Sequence, residues 1–367
     1  MATTEEVAIL AQQLAARFLD QGRYVVAPPV SARTLASVMP AAADAGAVAE
    51  YIDDAGFAGL AVQAVGYEHG ATDPKIHIYV TKGRPRTARQ LADTGVEIEV
   101  NRVGKVIVHP ETAAGATTGG NVFIRKGRVA CGSSCAPAAE MYAGTIGALV
   151  RRKSSSDLFI LSNNHVLAAG NHTPVDMPIL SPSNIDARAN IRAPGEICRH
   201  SDICELRSGV PSLVQPVKED IAIGRVVSPA TVSSWQGDND GYDTPTKVLA
   251  PAAGMPVKKI GRTTGLTRGI VQSLVNSPQP LPYKASRFTA VVWFIDAWIV
   301  EALPGQDLGS IFALPGDSGS LVVSEKGDAA VGLVFAASPN GEYGFIVPMN
   351  HIATQFGGLT LVGGHGV

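Results

Sequence analysis

Pro315-Gly316-Asp317-Ser318-Gly319-Ser320-Leu321-Val322-Val323 is the stretch on which the reading of this chain turns. A polar, glycine-bounded loop runs straight into an apolar segment of strand length. A serine becomes a nucleophile only when a base takes its proton and donors are aimed at the oxyanion that forms. Glycines on both sides of Ser318 permit a sharp turn, which can point the backbone N–H groups of Gly316 and Ser318 into one hollow. Taken alone, such a tetrapeptide is more often only a turn. The rest of the chain must therefore supply a base and a partner to orient it.

The base candidate lies upstream in Leu161-Ser162-Asn163-Asn164-His165-Val166-Leu167-Ala168, where His165 closes an apolar strand and opens a short turn. Histidine has a pKa near working pH without a large environmental shift. The other seven histidines, at 69, 77, 109, 172, 200, 351 and 365, stand in polar or terminal contexts and read as surface residues. Asp220, immediately before the strand Ile221 to Val227, is placed to hold an imidazole in one tautomer, whereas its neighbour Glu219 reads as a solvated strand-start residue. The three candidates run His165, Asp220, Ser318, separated by 55 and 98 residues, which is enough to seat each on a different strand.

Composition sets the frame. The chain has 367 residues, 46% of them hydrophobic, which suits two or three domains with sizeable cores and excludes a disordered or fibrous protein. Charged residues make up 17%, and the 39 glycines and 24 prolines favour a turn-rich, mainly β chain. A net charge of -2 gives no basic surplus for a phosphate backbone, so no nucleic-acid partner is expected. The apolar stretch Thr289 to Leu303 is interrupted by Asp296 and Glu301, and no membrane span is expected. The start, Thr3-Thr4-Glu5-Glu6 followed by Val7, Leu10, Leu14 and Phe18, reads as a capping box on an amphipathic helix and not as a secretory signal; a cytoplasmic location is expected. Cys131/Cys135 and Cys198/Cys204 are compatible with free thiols, two disulfides or one zinc site. The acidic run Asp238-Asn239-Asp240-Gly241-Tyr242-Asp243 has Leu249 where a calcium loop needs Glu, so no metal and no cofactor are expected. Nothing in the sequence speaks to oligomeric state.

The texture changes along the chain. Ala-rich segments from Ser31 to Met39 and from Ala41 to Ala55 predict helices, Ile76 to Val80 and Val96 to Val100 alternate as strands, and Arg86 to Thr94 suits a short helix. Residues 1–115 thus read as a small helical and α/β module, ended by a Thr/Ala/Gly-rich linker from Pro110 to Gly120. Beyond Asn121 short apolar runs alternate with turns. Thr145 to Val150 and Leu158 to Ser162 form the clearest hairpin, and further strands are expected at 221–227, 257–260, 269–275, 290–295, 320–323, 330–335 and 344–347. Two all-β halves follow, at 121–235 and 250–356, with 357–367 as a tail.

At these three motifs the chain resembles the trypsin-like (chymotrypsin-fold) serine peptidases, over the stretch from Asn121 to about Phe356. The resemblance implies two antiparallel β-barrels with His165 as base, Asp220 as orienter and Ser318 as nucleophile, Gly316 and Ser318 forming the oxyanion hole, and a protein or peptide as substrate. The segment Gly261-Arg262-Thr263-Thr264-Gly265 looks like the one opening the second barrel in bacterial members such as α-lytic protease. A group of bacterial trypsin-like proteins, similar also to plant NARROW LEAF-type proteins, shares the pattern SNNHVLA, GRTTG and GDSGS behind a small α/β module. Family position makes Phe312 the expected pocket floor, with Phe335, Ala336 and Ala337 along its wall, so an apolar residue before the cleaved bond is expected. In digestive members a new N-terminal ammonium pairs with the aspartate before the nucleophile, here Asp317. By alignment on Gly261 that cation is expected to be Lys259, with Arg262 second. The competing expectation is a trypsin-fold binding or adaptor protein with negligible turnover.

Overall fold

The computed structural model describes residues 2–24, 60–82, 86–90, 95–108, 110–112, 120–189, 195–209, 214–284, 286 and 289–367. The helices expected at 31–39 and 41–55, and most of the linker expected at 110–120, lie outside the described residues.

Helix Thr4–Asp20 begins at a capping box: Thr3 Oγ accepts from the Glu6 N–H at 3.2 Å, and Glu6 Oε2 accepts from the Thr3 N–H at 2.7 Å. Val7, Ala11, Leu14 and Phe18 recur at helical spacing and are buried together against the strands Ala61–Tyr67 and Ile76–Lys82. Residues 86–90 form a strand, Arg86–Gln90, antiparallel to Glu97–Arg102, where the local pattern suits a helix. An unfilled sheet edge beside Glu97–Arg102 outweighs a five-residue propensity.

These strands extend a barrel. Pro256–Gly261, Leu321–Ser324, Ala330–Ala337, Tyr343–Pro348, Ala297–Ala302 and Gly265–Val275 pair in that order, and the last pairs back to the first, closing six strands. Gly265–Val275 is eleven residues long and strictly alternates inward Thr267, Gly269, Val271, Ser273 and Val275 with outward residues. Its far end reaches the amino-terminal module through Tyr67 and Leu274, so barrel and module share one ten-stranded sheet.

The other half is a curled, nine-stranded half-barrel in which the hairpin Ala148–Arg152 and Phe159–Ser162 pairs as expected. Its outer edge is Leu359–Leu361, which the tail contributes as a strand against Ala148–Arg152. Glu111–Thr112 supplies the opposite edge against Tyr142–Thr145. One hydrophobic core spans both halves, joining Phe159, Leu161 and Ile223 of the first to Leu333, Phe335 and Phe345 of the second. Val103, Val106 and Val108 enter the same core, so residues 103–108, leaving the amino-terminal module, form a strap across the interface.

Candidate active site

His165 sits on the four-residue helix Asn164–Leu167 at the end of strand Phe159–Ser162, and every polar residue of the Ser-Asn-Asn lead-in is tied down. Ser162 Oγ donates to the Thr145 carbonyl at 2.7 Å, Asn163 Nδ2 to the Asp220 carbonyl at 2.6 Å, and Asn164 Nδ2 to the Cys204 carbonyl at 2.8 Å. The lead-in thereby fixes where the imidazole points. His165 Nδ1 lies 2.5 Å from Asp220 Oδ2, and the His165 backbone N–H donates to Asp220 Oδ1 at 3.2 Å. Both side chains are buried, His165 at 1% exposure and Asp220 at 0%. The Tyr283 hydroxyl donates a further bond to Asp220 Oδ2 at 2.9 Å. With Nδ1 committed to a carboxylate, the tautomer leaves Nε2 as the free acceptor. Among the described residues Nε2 has no hydrogen-bond partner.

Ser318 lies on the loop facing this pair. Its carbonyl accepts from the Thr145 N–H at 2.8 Å, and Thr145 Oγ1 donates to the Gly316 carbonyl at 2.8 Å, so one threonine of the first half clamps the loop of the second. Gly316 and Gly319 adopt φ of 95° and 94°, the left-handed region. A side chain at 319 would also meet Ser162 Oγ and the Thr145 carbonyl, so the motif's second glycine lets the loop approach the strand that carries His165. Among the described residues the N–H groups of Gly316 and Ser318 donate to no acceptor, while those of Asp317, Gly319 and Ser320 are all used. The structure joins His165 to Asp220 and brings Ser318 onto the facing loop, without a hydrogen bond between His165 and Ser318.

Asp317 is held from every side. Its Oδ1 accepts from the backbone of Thr263 at 2.9 Å and Thr264 at 3.1 Å; its Oδ2 accepts from Leu314 N–H, from Thr264 Oγ1 and from Lys259 Nζ at 3.1 Å. Lys259 and Asp317 are both at 0% exposure. Burial pushes the Lys259 amine below its ordinary value, and the Asp317 charge works against that push. Gly261 is required by the close approach of this carboxylate: a Cβ there would stand 2.4 Å from Asp317 Oδ1. Arg262 takes a different partner, the buried Asp186 of the first half, with Nε at 2.9 Å from Oδ2 and a second contact from its terminal nitrogen to Oδ1. Gly120 N–H and the hydroxyls of Ser134 and Ser183 also donate to that carboxylate. Burial alone would raise the Asp186 carboxyl, but Arg262 and Ser134 outweigh it and hold it below the usual carboxylate range.

A cavity of about 180 Å³ opens at Ser318. Leu314, Pro315, Phe335, Ala336 and Ala337 line it from the second barrel, and Lys105, Ile107 and Val108 of the strap form the facing wall. Phe312 is not part of it, contrary to the expected pocket floor: its ring fills the space over Gly269 and Gly344, buried in the second barrel among Val257, Val271 and Ile346. Two glycines that leave room for a ring draw Phe312 inward. Two of the histidines expected at the surface are also buried. His77 bonds Glu68 and Asn101, and His200 bonds the Pro174 carbonyl.

No protein-family model matches the chain. No curated protein matches it. Among solved structures it is similar to Thermobifida fusca Protease A, at 21% identity over 64% of this chain and 100% of that one, with a TM-score of 0.40. It is similar also to the Nocardiopsis protease, at 18% identity over 63% of this chain and 97% of that one, TM-score 0.40. The chymotrypsin of Cellulomonas bogoriensis aligns at 17% identity over 63% and 97% of the two chains, TM-score 0.39. The fold is of the two-barrel chymotrypsin type.

Within that fold the sequence points to the loop and the imidazole and misses their supports. Thr145, Asp186, Tyr283 and the strap carry no motif, because each acts through a contact more than forty residues distant in sequence. The four cysteines are free thiols, three of them packed in the first half's core, and among the described residues no group of side chains is arranged to hold a metal ion. Among the described residues no helix is long and apolar enough to cross a membrane.

Proposed function

We propose that the chain is a serine endopeptidase that cleaves peptide bonds through an acyl-enzyme on Ser318. The observation that carries this reading is the buried His165–Asp220 contact of 2.5 Å, with Nε2 left without a hydrogen-bond partner among the described residues, in a fold whose Ser318 borders a cavity. In the proposed reaction the Ser318 Oγ–H proton passes to Nε2 as the Oγ–C bond forms. The carbonyl oxygen takes the electron pair and is stabilised by the N–H groups of Gly316 and Ser318. Collapse breaks the C–N bond, and the imidazolium returns its proton to the leaving amine. Water then repeats the sequence against the ester and frees the enzyme.

Asp317 and Lys259 are read as the pair that holds the oxyanion loop in shape without a proteolytic cut. A cytoplasmic setting is in keeping with four free thiols. The absent His165–Ser318 hydrogen bond favours the second reading, a binding protein of the same fold. One experiment separates the two: a fluorophosphonate probe should attach to the purified, uncut protein at Ser318, identified by peptide mass. An unlabelled Ser318 would leave the binding reading standing.

Specificity follows from the cavity wall. Leu314, Phe335, Ala336 and Ala337 offer no carboxylate, so a lysine or arginine side chain entering would be desolvated without a partner. Cleavage of a peptide library is expected after small or medium apolar residues. Dominant cleavage after lysine or arginine would refute the pocket assignment.

A further inference from the structure

The Asp220 carboxylate accepts three hydrogen bonds: two from His165 and one from Tyr283, which lies 63 residues downstream in the other half of the molecule. Tyr283 belongs to the hairpin Gln279–Lys284 and Thr289–Phe294, outside both barrel sheets. Its ring is fully buried, stacked on Phe294 at 5.8 Å and 9°, and edge-on to the His165 ring at 6.0 Å and 79°. Phe294 stacks in turn on Phe335 of the cavity wall. The strap fixes the hydroxyl's position: the Val108 N–H donates to the Pro282 carbonyl at 2.8 Å, and the Lys284 N–H donates to the Val108 carbonyl at 2.9 Å, gripping the residues on each side of Tyr283. The same Val108 borders the cavity.

We propose that Tyr283 is a positioning residue for the His165–Asp220 pair, and that the strap 103–108 makes the amino-terminal module part of the active centre by holding it. The inference rests on the peptidase reading for its kinetic consequence, not for its geometry. Burial and the neighbouring Asp220 charge push the phenol far above its ordinary value, so it stays protonated and donates at any working pH. A carboxylate that receives a hydroxyl bond is stabilised in its charged form and is a weaker base toward the imidazolium. Of the other titratable groups, Cys204 feels the Asp220 charge and Glu219 precedes it in the chain. Burial pushes the Cys204 thiol up to about 12, and both groups are turned to Gln355: Cys204 Sγ at 3.7 Å from its Oε1, Glu219 Oε1 at 3.4 Å from its Nε2. Neither supplies the donor that Tyr283 does.

Tyr283→Phe keeps the ring and deletes the donor. The titration of His165, followed by nitrogen-15 NMR of labelled histidine in the full chain, is expected to move to higher pH by about one unit, the size of one hydrogen bond to a charged group. The acid limb of kcat/KM should move by the same amount, with kcat about tenfold lower and KM near its original value. An unchanged titration midpoint overturns the inference, whether or not the wild type turns over peptide. Failure of the probe to label wild-type Ser318 strikes the peptidase reading alone, since the NMR midpoint still decides the role of Tyr283. Should the variant not fold, the wild type decides. The Tyr283 hydroxyl proton must then appear as a slowly exchanging downfield resonance with an NOE to the His165 Nδ1 proton, and its absence overturns the proposal.

Discussion

Ser318→Ala is expected to lower hydrolysis of a cleaved peptide by roughly three or more orders of magnitude while leaving the unfolding midpoint in place. The two halves of that result have separate causes. Among the described residues the Ser318 hydroxyl makes no hydrogen bond, and what anchors the residue is backbone: its carbonyl on the Thr145 N–H, and the neighbouring Gly319 N–H on the Val334 carbonyl. Alanine keeps both. The chemistry keeps nothing, because the acyl-enzyme has no other oxygen to form on. Initial rates on the best library peptide and a urea titration of the same preparation check both halves. Near-full activity of purified Ser318→Ala protein would eliminate the mechanism. His165→Ala should lose as much activity, but it also strips the buried Asp220 of its imidazole donor, leaving only the backbone N–H of residue 165, and is the less clean variant.

The largest loss of stability is expected at Arg262 and Asp186, whose side chains are 2% and 1% exposed. Removing one partner strands the other charge in a buried site, a cost of about 3–5 kcal/mol. Asp186→Ala leaves Arg262 with Thr263 Oγ1 as its remaining side-chain acceptor. Replacing both partners by apolar residues of similar volume should cost much less, because a buried pair contributes little beyond the penalty of breaking it. Urea unfolding of the single and double variants at neutral pH distinguishes these, and a single variant within about 1 kcal/mol of wild type would refute the assignment. Acid should mimic the single variant. The folded Asp186 carboxyl lies below its unfolded value, so its contribution is complete above the unfolded value of about 3.9 and is lost as pH falls through the folded one.

The legible parts of this molecule are those whose physics is local. The capping box of Thr3 and Glu6, the alternation in Gly265–Val275 and the hairpin ending at Ser162 each follow from neighbouring residues, and so does the glycine-bounded loop around Ser318. Strand Gln279–Lys284 is not legible in the sequence, because Pro280 and Pro282 argue against a strand. It tolerates them in a two-stranded ribbon where prolines can face away from the partner. Residues 86–90 were legible only to the sheet that recruits them. Family position points Phe312 to a pocket floor, and the space above Gly269 and Gly344 takes its ring elsewhere. For Arg262 the sequence offers Asp317 as a second-choice partner, and only the fold supplies Asp186.

The strand Leu359–Leu361 carries a consequence for how the chain is made. It completes the first half-barrel by pairing Val150 with Leu361, across about 210 residues of intervening chain that build the whole second barrel. During synthesis the strand Ala148–Arg152 therefore waits with one edge bare until residues 359–361 leave the ribosome. Such an edge is a template for pairing with other chains, and a contact of that separation forms late. The lysine and two arginines at 151–153 stand at the end of this waiting edge. Charges at the end of a bare edge disfavour its pairing with another chain while the barrel is half finished.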